Sequence, residues 1–184
     1  MTSIGVFGSS SPRPGSPEYE QARAVGRALA QAKARLVCGG YGGVMEAACQ
    51  GAADEGGTSL GIVLAGQGVP NAWLTEAVAV QGLGERLARL RDESEGWIFL
   101  PRGLGTMLEL TWMAESVVKR EAVARPLVLL GDFWRPTVDT VLREAAGSGA
   151  QALASWVRWA STPGEAVEMA LNRAIGSSDH RVIG

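Results

Sequence analysis

The chain has 184 residues, with 17 Lys and Arg against 19 Asp and Glu, a net charge of −2, and 46% hydrophobic and 20% charged residues. That length and balance describe one globular domain, residues 1–184, and exclude a disordered chain. No basic block is present to engage duplex nucleic acid, and no apolar run reaches membrane-spanning length, so neither partner is expected.

Residues 3–7 read as a first strand, and Gly8-Ser9-Ser10-Ser11 follows at its C-terminal end. Small residues and hydroxyls there suit a ligand-facing turn, though taken alone they read better as a polar loop. Ser16 as N-cap and Pro17 at N1 open a helix that runs to about Ala32, with Ala22, Val25, Leu29 and Ala32 at helical spacing. Residues 35–38 form a second strand. Gly39-Gly40-Tyr41-Gly42-Gly43 follows, then a helix from Val44 to about Glu55. The small residues Val44, Ala47, Ala48, Gly51 and Ala52 predict close packing of this helix on the sheet. Residues 58–64 and 76–80 read as strands, the second leading through Gly82-Leu83-Gly84 into a helix from about Glu85 to Asp92. That helix carries Arg86, Arg89 and Arg91; Arg86, at its start, lies on the sheet edge where ligands bind in open α/β sheets.

Residues 97–100 form a fifth strand that Pro101 ends. Gly103, Leu104, Gly105 and Thr106 then turn the chain into a helix reaching about Lys119. A strand, a glycine turn and a helix start gather backbone N–H groups at the positive end of a helix dipole, which is an anion site. Residues 40–43 repeat this arrangement, so Gly40, Gly42 and Gly43 are further candidate phosphate contacts, with Ser9 and Ser10 at the same edge. Glu109 sits one turn inside the helix. Repulsion keeps a carboxylate off the phosphate, so Glu109 is expected to face the attached sugar or base. Apolar residues on more than one side of the helix at residues 107–119 suggest a subunit interface, or equally a central helix of a thick domain.

Residues 126–130 read as a sixth strand, residues 137–146 as a helix, Gly147-Ser148-Gly149 as a loop and residues 157–160 as an edge strand. Thr162-Pro163-Gly164-Glu165 is a capping box opening a last helix to about Ala174, and residues 176–184 are expected to fray. The whole is α/β: a Rossmann-like, doubly wound, mainly parallel sheet of about 6–7 strands with helices on both faces. No Gly-x-Gly-x-x-Gly follows the first strand, no acidic residue ends the second, and no Gly-Lys-Ser/Thr occurs, which disfavours NAD binding and ATPase chemistry. Cys38 and Cys49 lack metal spacing and are expected as reduced thiols. The single histidine, His180, lies in a polar tail. No metal or cofactor is expected. The N-terminus has no signal-peptide pattern, so a cytoplasmic location is expected.

Pro101-Arg102-Gly103-Leu104-Gly105-Thr106-Met107-Leu108-Glu109 resembles the Pro-Gly-Gly-x-Gly-Thr-x-x-Glu signature of the LOG family, long misnamed lysine decarboxylases. Phe7-Gly8-Ser9-Ser10 and residues 39–47 resemble two further family motifs, and Arg86 lies ahead of Pro101 at the spacing of the family's functional arginine. The resemblance covers about residues 3 to 131. Within the family the motifs are most similar to a mostly uncharacterised branch related to molybdenum-cofactor carrier proteins. The resemblance implies a homodimeric nucleoside 5′-monophosphate phosphoribohydrolase, releasing free base and ribose 5-phosphate without a metal. The alternative it implies is a non-catalytic carrier or sensor of a nucleotide or pterin phosphate such as molybdenum cofactor. The chain departs from the family pattern at Arg102, where a glycine is usual, at Leu108, where an extra glutamate is usual, and at Leu87, where a lysine is usual. Arg102 either clashes with the pocket or adds a phosphate contact. In the enzyme, Glu109 would stabilise positive charge on the sugar and orient or activate water, and Arg86 would bind phosphate or sugar oxygens.

Overall fold

Apolar residues in the strands alternate between two cores, and that period of two is what places helices on both faces. Residues 1–144 and 150–172 are described by the structure, a computed structural model. The strands are β1 (Ser3–Phe7), β2 (Arg35–Cys38), β3 (Ser59–Leu64), β4 (Glu76–Val80), β5 (Trp97–Phe99), β6 (Leu127–Leu130) and β7 (Val157–Ala160). The helices are α1 (Pro17–Gln31), α2 (Val44–Asp54), α3 (Leu83–Asp92), α4 (Leu104–Val118), α5 (Arg135–Glu144), α6 (Ala150–Trp156) and α7 (Pro163–Leu171). Ile4, Val6, Leu36, Cys38, Ile98, Val128 and Leu130 face one core with α1, α2 and α7. Their neighbours Phe7, Val37, Trp97, Phe99, Leu127 and Leu129 face the other, with α3, α4, α5 and α6.

All seven strands are parallel, in the order β4-β3-β2-β1-β5-β6-β7. The winding runs outward from β1 to β4, then crosses back so that β5 pairs with β1 through Gly5–Trp97, Val6–Ile98 and Phe7–Phe99. This reversal opens a crevice outside the C-terminal ends of β1 and β5, the usual ligand position in such a sheet. Two contacts fix its walls. Phe7 and Phe99 stack with ring centroids 4.9 Å apart, and the Trp134 indole N–H donates to the Leu100 carbonyl at 2.9 Å.

Several boundaries differ from expectation for a common reason. The N-caps of α3 and α4 are Gly82 and Gly103, with no side-chain cap, so each helix starts directly after its glycine, two residues earlier than its pattern suggests. By contrast, α1 and α7 start where Ser16 and Thr162 accept hydrogen bonds from Tyr19 and Glu165 N–H. The short helix α6 was not expected, because seven residues of Ala-rich sequence beside a glycine loop carry no readable period. The last helix, α7, ends at Leu171 with Asn172 as its C-cap, short of the expected end near Ala174, because the backbone turns extended at Asn172. The expected loop at Gly147-Ser148-Gly149 and the tail at residues 176–184 lie outside the described residues.

The small-residue face of α2 packs on the sheet as expected and also meets α1. A Cβ on Gly51 would lie 1.9 Å from the Arg23 carbonyl oxygen, and one on Gly26 would lie 1.9 Å from the Ala48 carbonyl oxygen. The two backbones touch. Gly51→Ala therefore sets a helix-propensity gain of about 1 kcal/mol against an overpacking cost of about 1–3 kcal/mol or more. Urea denaturation should find Gly51→Ala less stable, by as much as about 2 kcal/mol. A gain in stability would contradict this close crossing.

Candidate functional site

The crevice between β1 and β5 is a cavity of about 470 Å³, within the range that takes a small-molecule ligand. Four segments meet there: the end of β1 with Ser9, Ser10 and Ser11; Gly39, Tyr41 and Met45 after β2; Arg86 from the first turn of α3; and Gly103, Leu104, Gly105, Thr106 and Glu109 from α4. Each follows a strand, so the parallel topology alone carries them to one edge.

The α4 end presents open hydrogen-bond donors. Gly103 has φ +101, a conformation that side chains disfavour, and the turn needs it to bring the chain into the helix. The first bond closing the helix from outside is Met107 N–H to the Gly103 carbonyl at 3.1 Å. The N–H groups of Leu104, Gly105 and Thr106 precede it, uncapped, at the positive end of the helix dipole. Thr106 is 2% exposed, yet its hydroxyl has no hydrogen-bond partner among the described residues. A buried hydroxyl left open beside three open N–H groups is the donor set that a phosphate satisfies.

One turn further on, Glu109 is 8% exposed. Burial pushes its carboxyl up to about 7, and the Arg86 guanidinium, 3.9 Å from Glu109 Oε1, pulls in the opposite direction. Arg86 is itself held from several sides. Its Nε donates to the Ile62 carbonyl at 2.8 Å, its Nη2 donates to the Gly39 carbonyl at 3.0 Å, and the guanidinium lies 5.5 Å from the centre of the Tyr41 ring. Tyr41 in turn accepts the Leu64 N–H at 2.8 Å. Arg86 thus ties the end of β2 to β3 while turning Nη1 toward Glu109. Two of its nitrogens are committed to carbonyls, so the free fork expected from the sequence is reduced to that one edge.

The serine turn and the α4 turn both line the cavity, with Ser10 exposed and the Ser9 hydroxyl accepting the Ser11 N–H at 3.1 Å. The second glycine motif behaves differently from expectation. Gly40, Gly42 and Gly43 are not on the cavity wall; their neighbours Gly39 and Tyr41 are. The Gly40 carbonyl is taken by Asn71, and its N–H lies 3.3 Å from the Cys38 sulfur. At Gly43, φ is +69 and a Cβ would lie 2.5 Å from the Ser9 carbonyl oxygen, because Val44 N–H donates to that oxygen at 2.9 Å. The first N–H of α2 is therefore spent on clamping the serine turn. Cys38 and Cys49 are free thiols in the core beneath, their sulfurs 3.6 Å apart.

Sequence reasoning passed over Tyr41 and Met45. The signal for Tyr41 was its position as the one large side chain among four glycines; Met45 read as helix interior. Arg102 does not enter this cavity. It lies outside, on Glu18 at 3.8 Å, so no clash arises. Leu87 is buried in the core, and Leu108 lies half-exposed on α4, away from the cavity wall. No cluster of three metal-ligating side chains occurs among the described residues, and no described helix is long and apolar enough to cross a membrane.

A model of the SLOG cluster4 family matches residues 1–133, the span from β1 to just past β6 that contains every cavity residue. The cytokinin riboside 5′-monophosphate phosphoribohydrolase of Rhodococcoides fascians is 33% identical over 150 residues, 76% of this chain and 73% of that protein. The molybdenum cofactor binding protein of Rippkaea orientalis is 25% identical with a TM-score of 0.69, over 91% of this chain and 93% of that one. The molybdenum cofactor carrier protein of Chlamydomonas reinhardtii shares the fold with a TM-score of 0.70 at 21% identity, over 91% of this chain and 94% of that one. The motifs that resemble LOG proteins, the matched span and the shared fold agree: the chain belongs to the SLOG cluster4 family.

Proposed function

We propose that the protein binds a nucleoside 5′-monophosphate in the β1/β5 crevice and hydrolyses its N-glycosidic bond, releasing free base and ribose 5-phosphate. The observation that carries this reading is Glu109: a carboxyl brought to about 7 by burial, one turn beyond three uncapped N–H groups. With phosphate on the N–H groups of residues 104–106, the ribose extends into the cavity toward that carboxylate. Water attacks C1′ as the bond from C1′ to the base nitrogen breaks. The bonding pair leaves with the base, which takes up a proton, and Glu109 accepts the proton lost by water. Its negative charge also opposes the positive charge growing on the ribose ring. Arg86 keeps Glu109 in place and, through Nη1, moderates the cost of ionising it. The Rhodococcoides fascians relative, named for this reaction on cytokinin ribotides, supports the same class of substrate.

A second reading is a non-catalytic carrier of a nucleotide or pterin phosphate such as molybdenum cofactor, favoured by the 25% identity to the Rippkaea orientalis binding protein over nine-tenths of the chain. The leading reading also includes a homodimer. Leu104 is 85% exposed, and Met107 and Leu108 are each more than a third exposed on α4, while Leu110, Met113 and Val117 fill the core on its other side. Pairing through this stripe would border the cavity, since Leu104 belongs to both. Light scattering at micromolar concentration should give twice the monomer mass, and Leu104→Glu should return the monomer. A wild-type monomer would remove the dimer from the proposal.

The catalytic claim is tested by chromatography of free base released from AMP across a pH series. The reactive form is the carboxylate, so kcat/KM should fall about tenfold per pH unit below about 7, where Glu109 is protonated, and level off above it. Glu109→Gln should lower kcat on the order of a hundredfold or more, leave nucleotide binding similar and lose the acid limb. Turnover that survives the substitution contradicts the catalytic role of Glu109. Tight nucleotide binding with no turnover on any monophosphate favours the carrier.

A further inference from the structure

A second cavity, of about 290 Å³, adjoins the first: Ser9 and Ser11 line both. Its remaining walls are Pro12, Arg13, Ser16, Glu18, Pro101 and Arg102. Two guanidinium groups against one carboxylate leave it with a net positive charge. Neither cation is well used. Arg13 makes no side-chain hydrogen bond or ion pair among the described residues. Arg102 has only Glu18, 3.8 Å away and beyond hydrogen-bond distance, and its side chain is 67% exposed. Such loose exposed pairs hold their partners weakly.

The backbone at Arg102 adds to the case. Its φ is +70, and Gly103 follows at +101. An arginine adopts the left-handed conformation at a cost that glycine avoids. The signature that this stretch resembles has glycine at that position. Here the chain carries a left-handed backbone at the arginine that lines the cavity next to the phosphate turn, and strain of this kind collects at ligand sites.

We propose that the second cavity is a subsite for a second phosphate, so that the protein's ligands are nucleoside 5′-diphosphates or esters of them in preference to monophosphates. The proposal rests on the reading that the first phosphate sits on the N–H groups that open α4. From there the phosphate chain passes over the rim at Ser9 and Ser11 and reaches Arg102 and Arg13. Arg102 exchanges its long contact with Glu18 for short charge-assisted bonds to phosphate oxygens, whose geometry its planar fork matches. The base, the ribose and the reacting carbon stay in the first cavity. Glu109 keeps the same position relative to them, and the second phosphate selects the substrate without taking part in the reaction.

Isothermal titration with AMP, ADP, phosphate and pyrophosphate, on wild type, Arg102→Gly and Arg13→Ala, tests this. Glycine relieves the left-handed backbone, so Arg102→Gly should remain folded. Wild type should bind ADP about tenfold or more tighter than AMP, and pyrophosphate tighter than phosphate by a similar factor. Arg102→Gly should reduce that ratio to near one while leaving AMP affinity unchanged, and Arg13→Ala should reduce it in part. Equal affinity for AMP and ADP in wild type overturns the subsite and leaves the monophosphate reading standing. So does an ADP preference that both substitutions leave intact, since total ligand charge then explains it. Failure of all four ligands to bind overturns both readings.

Discussion

A carboxylic acid and a guanidinium buried together at the reversal of the sheet form the constraint on which the rest of the site depends. Moving Glu109 from an ordinary carboxyl value of 4.5 to about 7 means that its charged form is disfavoured on the order of 3 kcal/mol relative to an exposed carboxylate. The sign for stability follows. Between about pH 4.5 and 7 the folded chain holds this proton and the unfolded chain does not, so the contribution of Glu109 to stability falls as pH rises through that window and is level above it. Arg86 limits the penalty without abolishing it, because at 3.9 Å it offers charge and no hydrogen bond. Its short bonds go to the carbonyls of Gly39, just past β2, and of Ile62 within β3, beyond the last β2 pairing. The same guanidinium therefore closes the sheet edge and tunes the acid.

The glycine turns divide the labour around that pair. The turn before α4 leaves its N–H groups open, and Thr106 adds a buried hydroxyl without a partner. The turn before α2 spends its first N–H on Ser9 and holds the serine turn in place. Two motifs with the same strand–glycine–helix pattern thus differ: one leaves its donors open, and the other braces the serine turn.

Most of the fold was legible because β1, β2, β3 and β6 are short, mainly apolar runs followed within a residue or two by glycine, as suits buried parallel strands covered on both faces. The shared edge for the serine turn, Arg86, the α4 turn and Glu109 follows from that topology. The difference between the two glycine motifs was not legible. It depends on where the Ser9 carbonyl points and on Asn71 reaching the Gly40 carbonyl, which are contacts between segments far apart in sequence. The commitment of two Arg86 nitrogens to the Gly39 and Ile62 carbonyls was hidden for the same reason. The sequence pattern marked the small face of α2, and only the structure reveals α1 as the partner that requires Gly51. Arg102 stood out as a departure from the motif, and its direction away from the first cavity became visible only with its φ and with Glu18 in place.

A crystal structure with AMP tests the account most directly. Phosphate oxygens should lie on the N–H groups of residues 104–106 and on the Thr106 hydroxyl, with C1′ of the ribose within reach of the Glu109 carboxylate directly or through one water. A phosphate bound elsewhere, or a ribose turned so that Glu109 faces neither C1′ nor a water beside it, would contradict the central claim that this buried carboxylate is placed to act on the glycosidic bond.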